Sequence, residues 1–124
     1  MSEPKWIGVS QARRIHDEQL VLFHGPSGLR DPGLLESALD RPRNKFAYGE
    51  RDVAVLGAAY GFGITRNHPF IDGNKRTAFL VMMTFLAKNG HAFSPSQIDA
   101  TEQMLKIAAG HLDESGIANW IRGA

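Results

Sequence analysis

The chain has 124 residues, a length that fits one domain, and its 43% hydrophobic and 22% charged residues argue against intrinsic disorder. Fourteen lysines and arginines against thirteen acidic residues give a net charge of +1, so direct binding of nucleic acid is not expected. No cysteine is present, which excludes disulfides, thiolate metal sites and a cysteine nucleophile.

The first predicted element is a helix over residues 11–24. A short extended piece at residues 6–9 precedes it, and Ser10 is placed to cap its amino end. Apolar side chains recur along it at roughly helical spacing. Gly25 is expected to terminate it, since helices commonly end at a glycine.

A turn-rich segment, residues 25–31, leads to a second and shorter predicted helix. Asp31 followed by Pro32 is a helix-starting pair, a capping residue and a proline at the first helical position. Pro42 is expected to end this helix, because a proline disfavours helical backbone in the residue before it. Residues 44–50 show no clear period and are predicted as a loop.

The third helix is predicted from Asp52 to about Arg66. Gly57, Gly61 and Gly63 weaken it as an isolated helix, by ~1 kcal/mol each relative to alanine. Their spacing favours a second interpretation, in which the missing side chains let another helix pack closely.

A break at residues 67–76 is followed by an apolar run, residues 77–90, which predicts a buried central helix. Two more helices are predicted, over residues 97–109 with Ser96 as the cap and over residues 117–122. The predicted fold class is therefore all-α, a compact single-domain bundle (residues 1–124) of about six helices around a buried central helix.

The amino terminus lacks the basic start and apolar run of a secretory signal. The longest apolar stretch, residues 78–87, is far shorter than the ~20 residues that a membrane span needs. We therefore expect a cytoplasmic protein with no membrane contact.

The segment HPFIDGNKR, residues 68–76, carries the chemical content of the chain. Gly73 permits a left-handed backbone directly before a helix, and the free N–H groups at a helix amino end attract anions. Lys75 and Arg76 add two positive charges there, the opposite of what the helix dipole favours. Such a breach of a local rule is typical of functional sites, and here it predicts a phosphate-binding site.

Three more side chains of this segment have candidate roles. Asp72 suits Mg²⁺, which is usually held by one or two carboxylates together with substrate phosphates, although it could simply cap the next helix. His68 could take a proton from an attacking hydroxyl near neutral pH, although it could also be a helix-ending histidine bonded to a carbonyl. Phe70 is predicted to anchor the loop, and Ile71 to be buried beside it.

HPFIDGNKR resembles the signature of the Fic/Doc family, His-x-Phe-x-Asp/Glu/Asn-Gly/Ala-Asn-Gly/Lys-Arg, and matches it at seven defined positions. The chain also resembles the small death-on-curing (Doc) toxins in length. Like them it has RDPGLLESALDRP before the motif and a hydrophobic helix directly after it. The likeness covers most of the chain, with the motif as its most specific part.

The resemblance implies a helical fold that moves part of a nucleotide onto a hydroxyl of a target protein. By position in the motif, His68 would be the general base and Asp72 the Mg²⁺ ligand. Arg66, just before the motif, could also reach a phosphate, although the carboxyl end of a helix favours arginine in any case. Phosphate contacts would come from the backbone of Gly73, the amide of Asn74, and the charges of Lys75 and Arg76.

Two branches of this family differ in the group transferred. The Fic-type pattern has glycine in place of Lys75 and a second arginine where this chain has Phe79. Lys75 without the second arginine resembles the Doc branch, in which the nucleotide sits reversed and the γ-phosphate goes to a threonine of elongation factor Tu. In contrast, His68-Pro69 and Gly73 are closer to the Fic-type spelling.

The resemblance thus implies a toxin of a type II toxin–antitoxin system, a kinase-type phosphotransferase that uses ATP and Mg²⁺ and inhibits translation. Its partners would be a cognate antitoxin and elongation factor Tu. Two alternatives stay open: an AMP-transferase on the same scaffold, and a catalytically silent binding module.

Residues 44–50 occupy the place where members of this family carry a flap that aligns the target chain, although an ordinary exposed loop is an equal interpretation. The four histidines outside the motif show no metal-ligand spacing and are expected at the surface or at helix caps. They are His16, His24, His91 and His111.

Overall fold

The computed structural model describes residues 2–23, 26 and 28–123. Over these ranges the chain forms six helices: α1 (Val9–Phe23), α2 (Pro32–Ala47), α3 (Val53–Asn67), α4 (Asn74–Lys88), α5 (Gln97–Ala108) and α6 (Glu114–Arg122). The predicted all-α class and number of helices are confirmed. The predicted end of the first helix at His24, with Gly25 as its terminator, lies outside the described residues. No helix in the described ranges is long and apolar enough to span a membrane.

Helix α3, and not the predicted α4, is the most buried helix of the described fold. Ten of its fifteen residues are buried, against seven of fifteen in α4, and it packs against α2, α4, α5 and α6. A Cβ added to Gly61 would lie 2.9 Å from the sulfur of Met82 in α4. A Cβ added to Gly63 would lie 3.3 Å from backbone atoms of Ala38 in α2. The glycines of α3 therefore allow neighbouring helices to approach closely.

Helix α2 continues through Pro42 to Ala47, so the predicted end at Pro42 is wrong, as is the predicted loop over residues 44–47. Pro42 cannot donate a hydrogen bond to the carbonyl of Ala38, four residues before it. Pro42 is buried, however, and Gly63 of α3 packs beside that carbonyl. The packing of α2 against α3 outweighs the cost of the missing hydrogen bond.

Side-chain caps set several helix boundaries as the sequence predicts. Asp52 caps α3 by accepting from the second helical N–H at 2.9 Å, and Ser96 caps α5 by accepting from the N–H of Asp99 at 3.0 Å. Ser10 is not a cap, because α1 already begins at Val9. Helix α6 begins three residues earlier than predicted, because Asp113 caps it.

Candidate functional site

The site begins where α3 ends, with a residue in an unusual conformation. His68 follows the last residue of α3 and has φ +53° and ψ +54°, in the left-handed region. It is the one non-glycine residue with positive φ in the described part of the chain. This conformation costs a residue with a side chain roughly 1–2 kcal/mol, so it persists only where the surroundings impose it. The turn that it makes leaves the imidazole exposed.

Asn74, the first residue of α4, ties the loop together from inside. Its side chain is buried, and its Oδ1 accepts from the N–H of Phe70 at 2.9 Å. Its Nδ2 donates to the carbonyl of Phe70 at 2.9 Å and lies 3.1 Å from Nδ1 of His68. The two bonds to Phe70 fix which end of the amide is nitrogen, so Nδ1 of His68 is the acceptor. A neutral His68 ring therefore carries its proton on Nε2.

These bonds differ from the role that the family resemblance gives to Asn74, which is phosphate contact through the amide. Both hydrogens of its amide nitrogen are directed at partners inside the loop. Asn74 therefore contributes to this site by fixing the ring of His68 and the backbone of Phe70.

The amino end of α4 is open toward the loop. Its N-cap is Gly73, with φ +78° and no side-chain cap, so the N–H groups of Asn74 and Lys75 have no carbonyl partner within the helix. Asp72 does not cap α4, and the capping interpretation of this residue is wrong. Its carboxylate is exposed beside the positive end of the helix dipole.

One cavity of about 520 Å³ brings most of the predicted site residues together. It holds three positive side chains, one carboxylate and the exposed imidazole. Phe70 is the one residue of the predicted set that does not line it. The lining residues are Thr65, Arg66, His68, Asp72, Gly73, Asn74, Lys75, Arg76 and Ala108.

The underside of the loop rests on α1. Phe70 is 1% exposed and stacks on the ring of His16, with ring centroids 3.8 Å apart and planes 7° apart. His16 Nε2 donates to the carbonyl of Asp72 at 2.7 Å. The surface position expected for His16 is therefore wrong, and its spacing of four residues from the buried Ala12 was the available signal. Ile71, expected to be buried, is 51% exposed, because the chain bends directly after Phe70 and only Phe70 is packed against α1.

Residues 28–31, between α1 and α2, hold the outer side of the loop. Two successive N–H groups of this segment, beginning with that of Arg30, donate to the carbonyl of Pro69 at 2.7 and 3.0 Å. The Arg30 side chain donates from Nε to the carbonyl of His68 at 2.7 Å and from Nη2 to that of Asn67 at 2.9 Å. Sequence reasoning missed Arg30, because 38 residues separate it from His68.

The cavity has a single carboxylate, which suits Mg²⁺ among metal ions. Within the described ranges no three histidine or acidic side chains cluster as a metal site. Asp72 is the one carboxylate among the residues that line this cavity. Mg²⁺ fits such a site, because it takes few protein ligands and keeps waters and phosphate oxygens. Thr65, which the sequence did not indicate, also lines the cavity, and its buried hydroxyl has no partner in the described structure.

The region of the expected flap is part helix and part turn. Residues 44–47 complete α2, Tyr48 is 93% exposed, and Gly49 turns the chain with φ +111°. A second cavity, of about 690 Å³, lies against this turn. Among its lining residues, Arg41 and Lys45 both lie within ion-pair distance of Glu114 in α6.

Comparison with known proteins gives concordant matches. The model described as the Fic/DOC family matches residues 6–86. The chain is similar to "Protein kinase doc" of Escherichia phage P1, with 34% identity over 111 residues, which is 87% of this chain and 86% of that protein. It is also 34% identical over 108 residues to "Toxin Doc" of Mycolicibacterium smegmatis, which covers 83% of this chain and 82% of that protein. Both the family match and the relatives thus extend well beyond the nine-residue motif at residues 68–76.

Proposed function

Because the chain belongs to the Fic/Doc family, we propose that it is the toxin of a toxin–antitoxin pair and a protein kinase. It would transfer the γ-phosphate of Mg·ATP to a serine or threonine hydroxyl of a translation factor. Elongation factor Tu is the proposed target, and inhibition of protein synthesis in the cytoplasm is the proposed result. A cognate antitoxin would bind and restrain it. The names of the two relatives, a protein kinase and a toxin, support this proposal.

The observation that carries the proposal is the meeting of five features in one cavity. They are an exposed imidazole, one carboxylate, three cationic side chains, an open helix amino end and a volume of about 520 Å³. Phosphoryl transfer needs little covalent chemistry from a protein, because positioning and neutralisation of charge dominate it. Arg66, Lys75 and Arg76 supply cations for the phosphates, and the first N–H groups of α4 supply backbone donors.

The proton of the reaction is assigned to His68. The hydroxyl oxygen of the target attacks the γ-phosphorus, the bond from that phosphorus to the bridging oxygen breaks, and ADP leaves. His68 would accept the hydroxyl proton on its ring, which is exposed at the cavity. Asp72 would hold Mg²⁺, and bound Mg²⁺ would supply neutralisation of the phosphate charge.

Two positions on α4 favour γ-phosphate transfer over AMP transfer. Lys75 lines the cavity and is positioned to add charge at the phosphates. Phe79 stands where the Fic-type branch has a second arginine, and its half-buried ring packs against Trp120 with centroids 6.3 Å apart. Position 79 therefore offers no cation for a terminal phosphate of a nucleotide in the Fic-type orientation.

A labelling experiment tests the proposal. The purified protein is incubated with elongation factor Tu, Mg²⁺ and ATP labelled at either the α or the γ position, with His68→Ala as the inactive control. Label from γ alone on elongation factor Tu supports the proposal, while α label on protein indicates an AMP-transferase. A parallel incubation replaces elongation factor Tu with a cell lysate. Label on a different protein there, with none on elongation factor Tu, refutes the target, and no label on any protein supports a binding module.

The proposed metal dependence has its own test with a matched control. Asp72→Asn keeps the size of the side chain and removes its charge, so we expect transfer to need a much higher Mg²⁺ concentration. Asp40→Asn changes an exposed carboxylate of α2 outside the cavity and should leave the Mg²⁺ requirement unchanged. An equal response of the two variants to Mg²⁺ would show that Asp72 does not hold the metal.

A further inference from the structure

We propose that Arg30 is a positioning residue for the transfer reaction, one that sets the direction of the His68 imidazole by holding the His68 backbone. The inference rests on the proposed function, in which His68 takes the proton. Arg30 does not line the cavity, so it would act through His68 and not on the nucleotide.

The geometry of the guanidinium is the main argument. Its Nε and Nη2 donate to the carbonyls of His68 and Asn67, at 2.7 and 2.9 Å. These carbonyls belong to the two peptide planes on either side of the His68 Cα, and the angle between those planes is set by φ and ψ of His68. One rigid, planar group that donates hydrogen bonds to both carbonyls therefore fixes the backbone conformation of His68 directly.

That conformation needs such support. His68 is left-handed without being glycine, and left-handed backbone is unfavourable for a residue that has a Cβ. Asn74 holds the ring of His68 through Nδ1, whereas Arg30 holds its backbone. The Asn67 side chain adds to this by donating from Nδ2 to the carbonyl of Leu34, which ties the end of α3 to α2.

The position of Arg30 separates this role from general stabilisation of the fold. Its side chain is exposed, and its two acceptors are carbonyls at the carboxyl end of α3 that water could also reach. Removing it leaves no buried polar group stranded, so we expect little loss of thermal stability. A small misplacement of a catalytic group, in contrast, can slow a reaction strongly.

The test compares Arg30→Ala, Arg30→Lys and the control Arg13→Ala, which removes an exposed arginine of α1. The first readout is the ¹⁵N spectrum of the histidine rings, with the His68 signals assigned by His68→Ala. In the unaltered protein the neutral ring should be the Nε2–H form, and Arg30→Ala should give a mixture of the two neutral forms. The second readout is transfer kinetics, in which kcat should fall about tenfold or more while KM for Mg·ATP stays within about twofold.

Arg30→Lys keeps the charge but cannot donate to both carbonyls from one planar group. We therefore expect the same ring signals and kinetics as in Arg30→Ala. If Arg30→Ala fails to fold, Arg30→Lys replaces it in the test. Arg13→Ala should match the unaltered protein in both readouts. Unchanged His68 signals in both Arg30 variants overturn the inference, as does a raised KM with an unchanged kcat. If the unaltered protein shows no transfer at all, the proposed function fails, and the ring signals alone then decide whether Arg30 positions His68.

Discussion

Replacing His68 by alanine and by glycine separates the strain of its backbone from the chemistry of its ring. Both substitutions remove the imidazole, so both should abolish transfer. The two variants differ in backbone strain at position 68. Alanine is strained in the left-handed conformation found there, whereas glycine adopts that conformation without steric cost.

The magnitudes follow from the contacts of the residue. Either change removes the bond from Asn74 Nδ2 to the ring, which is worth about 0.5–1.5 kcal/mol, while the amide nitrogen keeps its bond to Phe70. Glycine also removes about 1–2 kcal/mol of left-handed strain from the folded state. It makes the unfolded chain more flexible, however, which lowers the stability of the folded state by about 0.4–1 kcal/mol. His68→Gly should therefore be more stable than His68→Ala by about 0.5–1 kcal/mol.

Gly90→Ala provides the matched control. Gly90 follows α4 with φ +75°, and a Cβ there would meet nothing within 4 Å, so the substitution adds strain without adding a contact. We expect it to lower the free energy of unfolding by about the amount that separates the two His68 variants. Transfer should be unchanged, because Gly90 lies outside the cavity.

Urea denaturation measures the three stabilities, and γ-label transfer measures the three activities. If Gly90→Ala loses stability while the two His68 variants are equally stable, then His68 is not under backbone strain and the loop argument is refuted. If either His68 variant retains transfer near the normal rate, the assignment of the base is wrong.

Three further predictions concern other parts of the fold. Asn74→Ala leaves the buried N–H and carbonyl of Phe70 without partners. It should therefore lower the free energy of unfolding by about 2–4 kcal/mol in urea denaturation and also impair transfer. A loss below about 1 kcal/mol would contradict this expectation. Gly63→Ala should lower the free energy of unfolding by about 1–3 kcal/mol, because the added Cβ meets backbone atoms of α2. In Gly61→Ala the added Cβ meets a flexible methionine side chain, so the free energy of unfolding should stay within about 1 kcal/mol of that of the unaltered protein. A lower melting temperature for Gly61→Ala than for Gly63→Ala would refute the packing argument. Burial raises the pKa of Tyr60 to about 12, and the unfolded chain loses this proton near pH 10. Stability should therefore fall by about 2–3 kcal/mol between pH 10 and 12, and Tyr60→Phe should lack this part of the fall when urea denaturation is repeated across that range.

The sequence by itself determined the features that short stretches of chain encode. Capping residues such as Asp52 and Ser96 set helix starts through bonds that reach only two or three residues along the chain. The candidate site was predictable for the same reason. Residues 68–76 are contiguous, so a helix end, a glycine turn and a helix start bring most of their polar groups to one cavity.

Only the tertiary structure decided which helix is central and what holds the loop. Helix α3 is more buried than α4 because its glycines let neighbouring helices approach closely, and that depends on which surfaces face each other in the fold. Packing against α3 likewise carries α2 through Pro42. His16 and Arg30 reach the loop from 56 and 38 residues away, and a periodic pattern a few residues long contains no information about such contacts. The local chain supplies the chemical groups, and distant residues supply the geometry that holds them in place.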